Sequence, residues 1–229
     1  MTPRSVTITV TGHAERDFVP NRCTVVLRVH ADGAAREEAA DPVAAAVTTV
    51  TDLVTALREH AHTPVKRWSL DQVRHGRHRP FNRDGKKRPW VYSSSASITV
   101  TFTDFRAVGP FVNRVAEVDA VTVAHLRWWI TRKAQARRLA TVRDLAVRDA
   151  LAKAKGYTKS LGYSTFHAVA IADPGMLGLP PSPGAPMGGP MLRAAALPMD
   201  AAPDEGPELV LEPDRITIAA DVEARFEAS

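Results

Sequence analysis

The stretch RCTVVLRVHADGAAREEAADPVAAAVTTVTDLVTALREH, residues 22–60, contains a strand pattern followed by a helix pattern. Arg22 to Ala31 is rich in β-branched residues and follows the turn formers Pro20 and Asn21, so it predicts a strand. From Ala35 to His60 the apolar residues recur at steps of three and four, which is one face of an α-helix. The residues of this face are Ala39, Val43, Val47, Val50, Val54 and Leu57.

The rest of the chain divides into similar elements. Strands are predicted at the N-terminus around Val6 to Thr11 and then at Val65 to Val73, Trp90 to Phe102, Val121 to Ile130, Ser164 to Ala172 and Ile216 to Phe226. A short helix is predicted from Asp104 to Val118 and a long one from Lys133 to Leu161, whose apolar stripe is rich in alanine. Small side chains there would let the helix lie close to a sheet.

The order of these elements contains the unit strand, helix, strand, strand twice, at Arg22 to Phe102 and at Val121 to Phe226. This pattern predicts an α+β fold of two β-α-β-β units, with long helices packed on an antiparallel or mixed sheet. We expect one domain over residues 1–229, with pseudo-repeat halves of about 1–103 and 104–229.

A basic segment, RHGRHRPFNRDGKKRPW, runs from Arg74 to Trp90 between two predicted strands, so it is expected to be the connection of a β-hairpin. Up to Arg88 it holds seven Lys or Arg and one Asp, a local charge of +6. The candidate polyanion-binding residues are Arg74, Arg77, Arg79, Arg83, Lys86, Lys87 and Arg88. Solvation of the loop is the default interpretation, and contact with the backbone of a nucleic acid is the alternative.

A second unusual segment, residues 173–207, contains nine of the 17 prolines and six of the 13 glycines. Without periodicity it is expected to be a mobile or extended insertion, and its methionines would suit docking on a neighbouring subunit. The stretch from Asp200 to Asp214 carries six acidic residues and no Lys or Arg, so it is an internal candidate partner for the basic segment.

Composition limits the classes of protein to consider. The net charge is +5, and 45% hydrophobic with 24% charged residues suits an ordinary globular chain. The single Cys23 excludes an intrachain disulfide and is expected to be a buried structural thiol. The N-terminus lacks the apolar run of an export signal and eighteen apolar residues never follow one another, so we expect a cytoplasmic protein without a transmembrane segment.

Motifs for common chemistry are missing from the sequence. It contains no G-x-S-x-G, G-x-x-x-x-G-K-[ST], G-x-G-x-x-G or H-E-x-x-H. The histidine pairs His60 with His62 and His75 with His78 lack further ligands, so no metal and no cofactor are predicted. Asp144 and Asp149 are expected to be surface ion-pair partners.

Three stretches together resemble the SIMPL domain family, also called DUF541. ITVTGHAERDFVPNRCTVVLRV resembles its opening strands with V-x-G and a proline turn, AVRDALAKAKGYTKSLGY its long helix, and EPDRITIAADVEARFE its closing strand. The likeness keeps its order over nearly the whole chain. Departures from the common bacterial pattern are the missing export signal, Asp214 where a glycine often lies, and the basic segment.

The resemblance implies a β-α-β-β fold and self-association, and it supplies no catalytic residues. Family members are discussed as envelope or stress-related proteins and as a signalling adaptor. We therefore expect a non-enzymatic, homo-oligomeric scaffold or interaction module with a protein partner that the sequence does not identify. The alternative is a polyanion or nucleic-acid backbone binder that uses residues 74–88. An enzyme of unrecognised type ranks last.

Overall fold

The computed structural model describes residues 5–59, 62–81, 87–178 and 211–229. Within these ranges the chain forms seven strands, three α-helices and one short 3-10 helix. The strands are β1 Val6–Phe18, β2 Arg22–Gly33, β3 Val65–His78, β4 Val91–Phe102, β5 Val121–Trp129, β6 Phe166–Ala172 and β7 Ile216–Ala228. The helices are α1 Arg36–Glu59, α2 Val108–Ala116 and α3 Arg132–Ser160, and the 3-10 helix is Phe105–Ala107.

The strands form two antiparallel sheets. One has three strands in the order β1-β7-β6, and the other has four in the order β3-β4-β2-β5. Long helices pack against these sheets, α3 on β1 and β7, and α1 on β2 and β4. The predicted α+β class is confirmed.

The strand, helix, strand, strand unit occurs twice, as β2-α1-β3-β4 and as β1-α3-β6-β7. In both sheets the unit's third strand lies between its second and its first. The predicted second copy, which began at Val121, is wrong in its first strand, because β5 pairs with β2 whereas β1 pairs with β7. Element order alone does not determine which strands exchange hydrogen bonds. The division into halves near residue 103 stays a prediction.

The described residues separate into two compact units. Residues 5–19, 130–178 and 214–229 form the three-stranded unit. Its core joins the alanine stripe of α3, Ala146, Ala150 and Ala154, to apolar residues of β1 and β7. All three alanines are fully buried, as the sequence pattern predicts for a helix that lies close to a sheet.

Residues 20–59, 62–81, 87–129 and 211–213 form the four-stranded unit. Val50 and Val54 of α1 have no exposed surface, and neither have Val25 and Leu27 of β2. Full burial of such an aliphatic side chain is worth about 1.5–3 kcal/mol, so these contacts are the main stabilising term of the unit.

The β-hairpin predicted between β3 and β4 is confirmed, but its connection is shorter than expected. β3 continues to His78, so Arg74 and Arg77 are strand residues paired with Ser95 and Tyr92. The sequence alternation stops near Val73 because a bulge shifts the register between Asp71 and Arg74, where Gln72 has a φ of 51°. Expecting Arg74 and Arg77 in the connection was therefore wrong.

Helix α1 is long and apolar enough to cross a membrane by length and composition alone. Core helices of soluble proteins pass the same test, and α1 buries Val43, Val50 and Val54 in the four-stranded unit. The absence of a transmembrane segment stays a prediction.

Candidate functional site

Strand β1 lies at an edge of its sheet and is closely covered by α3. A Cβ atom on Gly12 would lie 2.0 Å from the backbone oxygen of Ala146 and 2.8 Å from Cβ of Ala150. Such distances are far inside van der Waals contact, so only glycine allows the helix backbone to approach the strand this closely.

Two side chains of α3 bind backbone groups of β1 beside Gly12. The backbone N–H of His13 donates to Oδ2 of Asp149 at 2.9 Å, and Nζ of Lys153 donates to the carbonyl oxygen of Thr11 at 2.9 Å. Asp149 and Lys153 also form an ion pair of 2.7 Å. An edge strand turns alternate N–H and C=O groups away from its neighbour, so these contacts occupy groups that would otherwise accept another strand. We call Gly12, His13, Asp149 and Lys153 the β1 clamp.

Hydrogen bonds stabilise the ionised carboxylate of Asp149 in the β1 clamp. The hydrogen bond from Lys153 and the backbone N–H of His13 hold the pKa of Asp149 below its ordinary value of 3.8. The His13 ring lies 2.7 Å from Oδ1 of Asp221, its cross-strand partner on β7. These contacts fasten α3 to the edge strand β1.

Strand β6 is the edge on the other side of the same sheet, and its sequence FHAVAIA contains no Lys, Arg, Asp, Glu or Pro. Val169 is 53% exposed and Ile171 is 56% exposed. The other three edge strands, β1, β3 and β5, all contain charged residues. Natural proteins protect sheet edges with charge, proline, bulges or short strands. β6 is short and has a bulge between Ala168 and Ala170, but it has no Lys, Arg, Asp or Glu, and its one ionisable side chain, His167, lies 3.9 Å from Glu227 of β7.

The segment that leaves β6 is held by a buried carboxylate on β7. Glu223 is 5% exposed and accepts the backbone N–H groups of Gly175 and Leu177 at 2.7 and 3.0 Å. The first residues of the predicted insertion, 173–178, are thus held by β7, and residues 179–207 lie outside the described ranges. Most of the acidic stretch from Asp200 to Asp214 lies outside them as well.

The structure describes five of the seven candidate polyanion-binding residues: Arg74, Arg77, Arg79, Lys87 and Arg88. Arg83 and Lys86 lie outside the described ranges. Arg77 and Arg79 lie 4.5 and 4.3 Å from the ring centre of Trp90. The indole therefore brings two guanidinium groups together, at a distance where cation–π attraction offsets part of their mutual repulsion. All five described residues are exposed.

Two side chains that could in principle act as nucleophiles, Cys23 and Ser94, are both buried. Cys23 has no exposed surface, so the predicted burial of its thiol is confirmed, and its structural role stays a prediction. Burial raises the pKa of this thiol to about 12. Ser94 is hydrogen-bonded to Nδ1 of His75 at 3.0 Å, but Ser94 is only 1% exposed. This hydrogen bond orients the imidazole of His75, whereas a nucleophilic hydroxyl would have to be accessible to a substrate.

The family model described as SIMPL, protein of unknown function (DUF541), matches residues 8–226. The chain belongs to the SIMPL family. No curated protein matches the SIMPL chain significantly. Two of the stretches that carried the resemblance, around Gly12 and around Asp149, meet in the β1 clamp of this SIMPL protein.

Sequence reasoning predicted the ion pairs on α3 of the SIMPL chain but not the contacts that α3 makes with a distant strand. Asp149 and Asp144 are ion-paired as predicted, with Lys153 at 2.7 Å and Arg148 at 2.9 Å. The bond from His13 to Asp149 was missed because the two residues are 136 positions apart. The edge position of β6 was missed as well. The signal in the sequence was FHAVAIA, which contains no Lys, Arg, Asp or Glu.

In the described ranges of the SIMPL chain, no group of three or more His, Cys, Asp or Glu side chains is placed to hold an ion. The expectation that the protein has no metal stays a prediction.

Proposed function

We propose that this SIMPL protein acts without an enzymatic reaction, as a homo-oligomeric scaffold or protein-interaction module whose copies associate through β6. The observation that carries the proposal is the edge position of β6 together with the exposure of Val169 and Ile171. A strand of another copy would satisfy the outward N–H and C=O groups of β6 and cover these two side chains.

The β1 clamp supports the choice of β6 over the opposite edge. Asp149 and Lys153 occupy a donor and an acceptor of β1, so a strand added there would have to break two hydrogen bonds and separate an ion pair. Association is therefore expected at the β6 edge of this sheet and not at the β1 edge. A C2 pair would join β6 to β6, whereas larger assemblies would need a second surface.

The test is sedimentation velocity on the full chain and on Ile171→Lys. We expect a wild-type mass that is a multiple of 24.8 kDa and a variant that sediments as a monomer, because a buried lysine at the joint would lose its hydration. Leu70→Lys is the matched control, since Leu70 is a 41% exposed residue on β3, an edge of the other sheet.

Two results would contradict the proposal. A wild-type protein that remains a 24.8 kDa monomer at micromolar concentration has no such association. An Ile171→Lys variant that keeps the oligomeric mass would show that β6 is not the joint.

A second candidate function, polyanion binding, is favoured by the stacking of Arg77 and Arg79 on Trp90. Both groups keep N–H donors for phosphate oxygens. If about four cations of the basic segment contact a nucleic-acid backbone, log K should fall against log salt with a slope of roughly −3 to −4, with little sequence preference. Replacing Arg77, Arg79, Lys86 and Lys87 by Ser should flatten that slope, and an unchanged slope rejects this candidate.

A further inference from the structure

The four-stranded unit contains two adjoining cavities that share His75 as a wall. The first, of about 260 Å³, lies where α1 faces β3 and β4, and its lining is mostly aliphatic. Val43, Ala44 and Val47 come from α1, and Val73 and Ala96 come from the two strands. A sealed aliphatic cavity of about 150 Å³ is enough to hold benzene. This one is open to solvent on one side, where Val73 is 54% exposed, so it has the volume to cover part of an alkyl chain of moderate length and not to enclose it.

The second cavity, of about 320 Å³, has a different character. It is lined by Arg36, the first residue of α1, and by Arg77 of β3, with Tyr92 and Ser93 of β4 and the backbone of Gly76. Both charged residues of this lining, within the described part of the chain, are cations. Two arginines from separate elements that face one space suit a single carboxylate or similar anion.

His75 connects the two environments. Its Nδ1 is hydrogen-bonded to the buried hydroxyl of Ser94 at 3.0 Å, which restrains the ring at the boundary between the apolar and the cationic cavity. The acidic groups nearby determine which end of a ligand with one carboxylate would enter each cavity. Asp41 lines the apolar cavity, where it would repel a carboxylate, and Glu38 is engaged with the backbone N–H groups of Ala34 and Ala35.

We propose that these cavities form one binding cleft for a small aliphatic monocarboxylate. The carboxylate would lie between Arg36 and Arg77, and the alkyl chain would extend past His75 along Val43 and Val47. Charge complementarity fixes the head group, and the aliphatic walls fix the tail. This site is independent of β6 and of self-association.

The first experiment titrates the full protein with octanoate and follows backbone amide shifts by NMR. For a ligand of this size in a partly open cleft, we expect a Kd on the order of 0.1–1 mM. The shifting amides should be those of α1 near residue 44, of β3 near residue 75 and of β4 near residue 94. Octanamide, which has the same chain and no charge, should bind about tenfold more weakly if the arginines hold the carboxylate.

Matched variants separate the two halves of the cleft. Arg36→Gln should weaken octanoate about five- to tenfold, whereas Arg58→Gln, at the other end of α1, should leave it unchanged. Ala44→Phe should block the apolar cavity and abolish binding, whereas Ala45→Phe, on an exposed neighbour outside its lining, should not. Circular dichroism on each variant checks that α1 is intact.

Several results would overturn the proposal. Equal affinity for octanoate and octanamide would contradict the role of the arginines. Unchanged binding in Ala44→Phe, or amide shifts that map elsewhere, would contradict the location. If the amide shifts do not approach saturation at an octanoate concentration of about ten times the expected Kd, the cleft does not bind this class of ligand.

Discussion

Substituting Gly12 by alanine tests whether close contact between β1 and α3 stabilises the three-stranded unit. The added methyl would meet the Ala146 carbonyl oxygen at 2.0 Å, and ordinary contact begins at 3.4 Å, so helix and strand must separate by about 1.4 Å. The obstacle is backbone, which cannot rotate away as the end of a long side chain can.

The size of the effect follows from two contributions. Overpacking in a dense core costs about 1–3 kcal/mol, and a gap of this width weakens the dispersion contacts of Ala146, Ala150 and Ala154. The displacement would also break the hydrogen bonds from Lys153 to Thr11 and from His13 to Asp149, each worth about 1 kcal/mol. We expect a total loss of about 3–5 kcal/mol, a large share of the roughly 5–15 kcal/mol that is typical of a domain.

Urea denaturation followed by circular dichroism measures this loss, with two glycine-to-alanine controls. At Gly76 the nearest atom is Oγ of Ser93 at 3.5 Å, so its substitution should change stability by less than about 0.5 kcal/mol. Gly156 lies within α3 with nothing inside 4 Å, so its substitution should stabilise by about 0.5–1 kcal/mol. A Gly12→Ala protein within about 1 kcal/mol of wild type would refute the reasoning, because α3 would then yield at little cost.

Further predictions concern single side chains. Because the folded pKa of Asp149 is lowered, its stabilisation is present above about 3.8 and is lost as the pH falls through the lower value; Asp149→Asn should cost about 1 kcal/mol at neutral pH and flatten the acid limb of the stability curve. A variant with an unchanged acid limb would exclude this group as its source. Cys23 should resist a thiol reagent at pH 8 in the folded protein and react fully in urea, since its pKa is about 12; rapid labelling without urea would mean that β2 opens. Glu223→Gln leaves one acceptor oxygen for two backbone donors, so hydrogen exchange at Gly175 and Leu177 should accelerate at least about fivefold while β7 stays protected; equal exchange would mean that this carboxylate does not hold the segment.

Much of the secondary structure could be predicted because it depends on residues close in the chain. Alternation in β4 and β7 and the stripe of Ala146, Ala150 and Ala154 in α3 each record one buried face of one element. The family resemblance rests on the same local patterns. At the bulge near Gln72 the rule failed, because a single residue with positive φ reverses the alternation without any change in composition.

Local patterns could not predict which strands share a sheet or which distant residues meet at the β1 clamp, the β6 edge and the binding cleft. The place of β1 beside β7 depends on hydrogen bonds between segments some two hundred positions apart, and β5 pairs with β2, which lies about a hundred positions before it. Only the folded chain brings His13 to Asp149, leaves β6 at an edge of its sheet, and brings Arg36 and Arg77 to the lining of one cavity. The sequence by itself determined the elements, their buried faces and the family, since these follow from near-neighbour periodicity. Tertiary structure decided the pairing and the sites, because each of them depends on contacts whose partners the order along the chain does not reveal.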